Sequence, residues 1–552
     1  MPQRLLETTP LFLLVLLLGG CKVFRSEPSD ERGQAPGNFN STTTEVAIPV
    51  IQSVSSPDLD GVYEAGDTVN IELTFSEPVL VIGSPKLQLN LGATTGEASY
   101  LNGSESPQLT FSYLVRTGDR IPILAYTGDR ALILPDGTNI VSLEQTPADV
   151  MLPPPGSPES LSGSKKIELG IRSWSADDND PLKGLNYIGG ATRTIRPTLV
   201  EHKGEIYISW SEQFNGVFQI RVKKRTANGW VSVDGNGNTG LNYNPGQGAA
   251  EVDLVSFGGF LYATWIERIN TNNFAVRVRR YDGTQWTFVD GNGPNGINFT
   301  PTEVSEFPKF VEHAGVLYNV WNERRDGTFV TVEIKKFDGT NWVVPSTAVA
   351  TDLRLDPSIG RGSIFLTHGN RLISVGTQSE GGVLSLRVRS YQGAGVWAFI
   401  DGGTRLNISP ARSSIFHSAI SHEGKLFVVW MEIDPSVRFS GHVKFFDGTQ
   451  WTYLGGKEFN RSPTSGRAMK PQFATQGSRL YLTWGESAVI NSTTDYQIKA
   501  NRLTPQGWLA IEGTGINRDP ALDSTGDGSS ISVGNYLYHA WVEDNKVRVS
   551  RY

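Results

Sequence analysis

The stretch FLYATWIERINTNNFAVRVRRYDGTQWTFVDGNGPNGIN, residues Phe260 to Asn298, decides the architecture. Leu261, Ala263 and Trp265 alternate with Tyr262, Thr264 and Ile266, the period of a strand. A polar loop, Arg268 to Asn273, follows, and alternation resumes from Ala275 to Tyr281. Asp282-Gly283 makes a tight turn, and Gln285 to Val289 closes the unit. Upstream, Glu251 to Ser256 is a further strand, turned by Gly258-Gly259. Four short antiparallel strands, with a large aromatic in the second and fourth, describe one blade of a β-propeller.

The unit recurs with drift. Trp210, Trp265, Trp321, Trp430, Trp484 and Trp541 fall in register on a Trp-x-Glu step, with Gly376 in the remaining slot; successive members lie 54 to 57 residues apart. Trp174, Trp230, Trp286, Trp342, Trp397, Trp451 and Trp508 form a second column, and the two columns account for all 13 tryptophans. Asn186, Asn242, Asn298, Asn407, Asn460 and Asn517 form a third, broken by Arg354. A fixed period of this length marks a repeat architecture. The last copy stops at Tyr552 without a fourth strand, whereas Trp174 stands in register one unit before Trp230. Residues 171 to 190 are therefore expected to supply the outer strand of the blade that the C-terminus begins. This predicts seven blades closed by pairing the two ends, which leaves no open flank.

The chain of 552 residues is long enough for more than one domain. With 19% charged residues and a net charge of -7, it lacks the basic footprint of a nucleic-acid binder, so no nucleic-acid partner is expected. Beyond the N-terminus no apolar run is long enough for a spanning helix. Residues 1 to 20 have the form of a secretion signal: Arg4 precedes an apolar core, Leu11 to Leu18, too short to cross a bilayer. Residues 21 to 45 are polar and rich in Pro, Gly, Asn and Thr, a flexible tether. Residues 46 to 170 contain no tryptophan. Val69, Ile71, Leu73 and Phe75 alternate there, as do Leu87, Leu89 and Leu91, then Leu109, Phe111, Tyr113 and Val115. Turn signals separate these runs, so a β-sandwich is expected, followed by the propeller at 171 to 552. Asp58, Asp60 and Asp67 are expected to be solvated loop carboxylates, with Ca²⁺ ligation the alternative.

The candidate chemistry is sparse. The Trp-x-Glu step supplies Glu212, Glu267, Glu323, Glu432, Glu486 and Glu543, with Gln378 in the seventh place. Either they ring a cation on the axis, or each pairs with a base on the facing strand, such as Arg221, Arg277, Arg387, His442, Lys499 or Arg548; the pairing is the plainer expectation. His202, His313, His368 and His422 share one turn in four blades and so do not converge on one metal. There is no zinc spacing, phosphate loop or nucleophile elbow, and no cofactor is expected. Asn-x-x-Pro turns join the blades: Asn242 and Pro245, Asn298 and Pro301, Asn407 and Pro410, Asn460 and Pro463, Asn517 and Pro520. The same rim carries Arg193, Arg196, Arg361, Arg412, Arg467 and Arg518, which differ between blades as a binding surface on a repeated scaffold would. These six are the candidate ligand contacts, with ordinary solvation of exposed arginines the plainer reading; no catalytic residue and no metal ligand is assigned.

Three resemblances add expectations. Leu18-Gly19-Gly20-Cys21 resembles the lipobox of bacterial lipoproteins, which implies lipidation at Cys21, the only cysteine, and a membrane anchor. Lys22 after it implies outer-membrane sorting, periplasmic or surface-exposed. Tyr63-Glu64-Ala65-Gly66-Asp67 with Phe75-Ser76-Glu77-Pro78-Val79 resembles an Ig-like module of large bacterial surface proteins, which implies a spacer or adhesion role. Asp282-Gly283-Thr284-Gln285-Trp286, repeated at Asp338 and Asp447, resembles the Asp-box hairpin of sialidase-type propellers, structural in that family and remote from its active site. That family's Arg-Ile-Pro step stands here only as Ile195-Arg196-Pro197, and Pro308 and Pro471 share the repeat position of Pro197. The family's usual six blades and its catalytic set are not matched. The expected function is therefore an envelope or surface lipoprotein whose propeller binds a glycan or protein ligand without a covalent step. A sialidase-like glycoside hydrolase or lyase and an envelope-assembly scaffold are the alternatives.

Overall fold

The computed structural model describes residues 48 to 552 apart from short internal stretches, the longest being 346 to 361 and 488 to 495. Cys21, the leader, the tether, Pro301, Arg354, Arg361 and Pro463 lie outside the described residues.

The propeller has seven four-stranded antiparallel sheets. Six are consecutive in the chain. Blade 1 comprises Arg193–His202, Glu205–Phe214, Val217–Thr226 and Gly229–Ser232, from axis to edge. The seventh takes Ser524–Val533, Tyr536–Glu543 and Lys546–Arg551 from the C-terminus and its outer strand, Ser175–Ala176, from the start of the module. Ser175 faces Arg551 and Ala176 faces Ser550. The closure expected from Trp174 is thus observed. Its indole lies 5.4 Å from the Tyr552 ring and donates to the Ile511 carbonyl at 3.0 Å.

Each sequence column has a structural cause. The first-column tryptophans are fully buried. Each donates its indole N–H to the glutamate two residues on, at 2.8 to 3.1 Å, because residues two apart in a strand point the same way. That buried carboxylate also accepts backbone amides from the loop entering its blade: Tyr243 N and Asn244 N reach Glu267 at 2.8 and 2.6 Å, and Arg461 N and Ser462 N reach Glu486 at 3.0 and 2.7 Å. The third-column asparagines bind the third strand: Asn298 accepts Val276 N at 2.7 Å and donates to Phe274 O at 2.8 Å. Asn186 does the same to Val547 and Asn545, across the closure.

Both expectations for the glutamates need correction. They are blade-to-blade clamps, not an axial ring. Nor do they pair with the facing bases, because the register places Arg221 opposite Trp210 and Glu212 opposite Gln219. The arginines among them instead meet aspartates that follow the outer strand, Arg277 and Asp290 at 3.0 Å and Arg387 and Asp401 at 2.6 Å, while His442 bonds the Tyr453 hydroxyl at 2.8 Å. The turn histidines link successive inner strands, as His202 does to Ser256 at 2.8 Å and His368 to Ser421 at 2.8 Å. The Asp-box turns close on themselves, Asp282 accepting Thr284 N at 2.8 Å and Gln285 N at 2.9 Å.

The preceding unit has its own apolar core, from Ile51 to Leu169. Its strands form one eight-stranded network with a two-stranded parallel ribbon, Gly61–Tyr63 beside Ile167–Leu169. The 15-residue strand Thr68–Ile82 organises it. Its first half pairs with Ile51–Ser55 and Ser106–Leu114; past a register shift between Thr74 and Val79 it pairs with Asn139–Ser142. Asp67 is neither solvated nor a cation ligand. It is buried against Arg479 at 2.9 Å and Arg502, on blade 6. Tyr552 donates to Glu64 at 2.6 Å, and Arg172 donates to Val62 O and to Asn535 O at 2.9 Å. Arg479 and Asn535 flank turns where inner strands end. The first unit therefore seats on one propeller face, and the inner strands begin on the other.

Candidate functional site

That other face opens into a central cavity of about 840 Å³. Its wall is built by one backbone device repeated seven times. Near the start of every inner strand one residue takes the left-handed conformation: Arg196, Glu251, Phe307, Gly362, Phe416, Lys470 and Gly526, with φ between 45° and 79°. The strand register shifts at six of these points, as between Ile195 and Thr198 in blade 1 and between Met469 and Gln472 in blade 6. These are β-bulges, which re-aim side chains. Five of the seven residues are not glycine, and each such backbone costs on the order of 1 kcal/mol. Strain held in register around an axis points to a surface shaped for contact.

Ion pairs bridge neighbouring blades along this wall. Arg196 of blade 1 meets Glu251 of blade 2, whose other oxygen accepts Phe307 N at 2.6 Å. Asp253 of blade 2 meets Lys309 of blade 3 at 2.8 Å and accepts Phe310 N at 3.0 Å. Lys470 of blade 6 meets Asp527 of blade 7. The lining thus carries three cations and three anions. Burial pushes the Lys470 amine down to about 8, with the Arg196 charge adding to it. His417, also in the wall, is pushed down to about 4 by burial and is neutral near pH 7. Between the charges lie Phe307, Phe416, Ile415, Val252 and three prolines. A wall of apolar faces with a few placed polar groups is the usual make-up of a small-molecule site. Each of the three acids already has a cationic partner, so none is arranged as an unpaired proton donor beside a nucleophile. Among the described residues no group of three His, Cys, Asp or Glu is placed to hold a metal.

The rim arginines separate. Arg196 is brought into the cavity, its guanidinium 5.5 Å from the Phe307 ring. Arg193 and Arg467 begin inner strands at the mouth; Arg193 lies 5.9 Å from Phe218 and Arg467 lies 4.1 Å over Phe439. Arg412 precedes an inner strand, and its carbonyl accepts Asn407 Nδ2 at 2.6 Å. Arg518 is engaged with Asp178 at 2.8 Å and Val549 O at 3.1 Å, across the closure. Sequence reasoning missed Glu251, Asp253, Lys309, Lys470 and Asp527 as one lining. The repeat position of Pro197, Pro308 and Pro471, each following a left-handed residue, was the available signal.

No family model matches this sequence, and no curated protein matches it. Solved structures of similar fold include a Trypanosoma rangeli sialidase in complex with 2,3-difluorosialic acid, at 11% identity over 58% of this chain and 54% of that one, TM-score 0.37. Aleuria aurantia lectin in complex with Fucα1-6GlcNAc is 12% identical over 57% of this chain and 94% of that one, TM-score 0.35. A thermostable family-43 glycoside hydrolase is 11% identical over 55% and 88%, TM-score 0.28. The chain spans about half the length of the sialidase it matches. At these identities and scores the likenesses carry no argument about function.

Proposed function

We propose that this is an envelope lipoprotein, anchored through Cys21 and sorted to the outer membrane, whose propeller recognises a glycan in its central cavity. An Ig-like spacer would carry it, and Arg193, Arg412 and Arg467 around the mouth would meet ligand outside the cavity. The observation that supports this reading is the bulge-built wall, apolar faces interleaved with balanced, pre-paired charges. Hydroxyl-rich ligands suit such a wall, since fixed carboxylates accept and fixed cations donate hydrogen bonds without further ordering. Docking of the first unit on the far face leaves the mouth clear. A glycan array probed with the full chain tests the reading. Specific retention, reduced by Arg196→Ala together with Lys309→Ala, is the expected result. Retention of no glycan, or hydrolysis of a reporter glycoside in its place, overturns it.

A further inference from the structure

The charges of the cavity wall balance in number but not in exposure. In each of its three ion pairs the cation is the outer member. Arg196 keeps 39% of its side-chain surface against 14% for Glu251, Lys309 keeps 46% against 14% for Asp253, and Lys470 keeps 28% against 13% for Asp527. All six residues line the cavity. A ligand in the lumen therefore meets guanidinium and ammonium groups, with the carboxylates sunk behind them.

The spare hydrogen-bonding capacity has the same sense. Both oxygens of Glu251 are engaged, one by Arg196 and the other by Phe307 N. Both oxygens of Asp253 are engaged as well, by Lys309 and by Phe310 N. The cations are not used up in this way. A guanidinium has five N–H donors and an ammonium three. Arg196 and Lys309 each spend one on the acid beside it. What the wall has left to offer is charged donors. Two of its cations also act against each other: the Arg196 charge, on blade 1, joins burial in lowering the Lys470 amine on blade 6. An anion in the lumen relieves that repulsion, and a neutral group leaves it standing.

Resting on the reading of the cavity given above, we infer that its ligand is a segment of acidic polysaccharide, its carboxylate or sulfate groups held by Arg196, Lys309 and Lys470. The bonds would be charge-assisted, the stronger class of hydrogen bond. The three cations stand on three inner strands and are tied to separate acids, which suits repeated anionic groups better than a single one. Exposed Arg193 at the mouth continues the cationic track outward.

The test is calorimetric titration of the full chain with three oligosaccharides of equal length, an oligogalacturonate, a sulfated galacto-oligosaccharide and a neutral galacto-oligosaccharide, with oligoglutamate as a polyanion that is not a sugar. An acidic sugar should bind about tenfold more tightly than the neutral one, which still enters the cavity on its hydroxyls. Which acidic sugar does so separates carboxylate from sulfate ester. Lys309→Gln together with Lys470→Gln should erase most of the preference, because the glutamines keep N–H donors and lose the charge. Should that double variant fail to fold, Lys309→Gln alone serves, and should reduce the preference about threefold. Asp253→Asn, which uncovers the Lys309 charge and keeps an acceptor for Phe310 N, should raise it. Equal affinity for acidic and neutral sugars, or a preference that the lysine variants leave unchanged, overturns the anionic class while leaving the cavity reading intact. Tighter binding of oligoglutamate than of either acidic sugar overturns it too, and assigns the cations to a protein ligand. Binding of no oligosaccharide, with no glycan retained on the array, sinks both readings together.

Discussion

Replacing Glu267 with Ala removes the acceptor of three buried donors at once: the Trp265 indole at 3.0 Å, Tyr243 N at 2.8 Å and Asn244 N at 2.6 Å. Each buried donor left without an acceptor costs about 1–3 kcal/mol. The sum is tempered because a small hollow of about 80 Å³ beside Tyr243, Asn244 and Glu267 gives water a place to enter. A loss of about 3 kcal/mol is therefore expected, a large share of a domain stability of about 5–15 kcal/mol. Glu267→Gln keeps one acceptor oxygen but turns an amide N–H₂ toward N–H donors, for a loss of about 2 kcal/mol. Urea unfolding followed by tryptophan fluorescence measures both. A change below about 0.5 kcal/mol for Glu267→Ala, the size of an ordinary surface substitution, would refute the clamp.

Trp174→Ala should open the ring. It removes the ring contact with Tyr552 and the bond to Ile511 O, a cost of about 3 kcal/mol, and calorimetry should show an earlier, broader transition. Asp67→Ala leaves Arg479 and Arg502 without their buried partner, about 3 kcal/mol, and should release the first unit to unfold separately from the propeller, seen as two transitions in place of one. Acid should destabilise the fold through histidines buried in the neutral form. Burial lowers His417 to about 4 and His442 and His539 to about 3, so between pH 6.5 and 4 the unfolded chain binds more protons than the folded one. Stability is full above pH 6.5 and falls as pH drops below it; a melting temperature flat from pH 7 to 4.5 contradicts the assignment.

The blades, their number and their closure were legible because one large aromatic per strand marks each copy, and a missing strand at one end matched a spare fragment at the other. The glutamate role was not, since its partners are backbone amides and an indole, which leave no trace in the pattern of charges. The facing bases Arg221 and Arg277 looked like partners only because register cannot be read from spacing alone. The cavity was hidden for a related reason. Arg196, Glu251, Phe307, Phe416 and Lys470 share no chemistry, only a backbone angle, and bulky residues do not announce a left-handed conformation. Pro197, Pro308 and Pro471 marked the place, but a repeated proline reads first as turn punctuation.

Recognition at the centre of the ring is tested most directly by a crystal structure of the full chain soaked with a neutral methyl hexoside. Density for one sugar in the central cavity, on the wall shared by Arg196, Glu251 and Lys309, is the expected result. Sugar found at the outer edge between blades, with the central cavity holding only solvent, would contradict it.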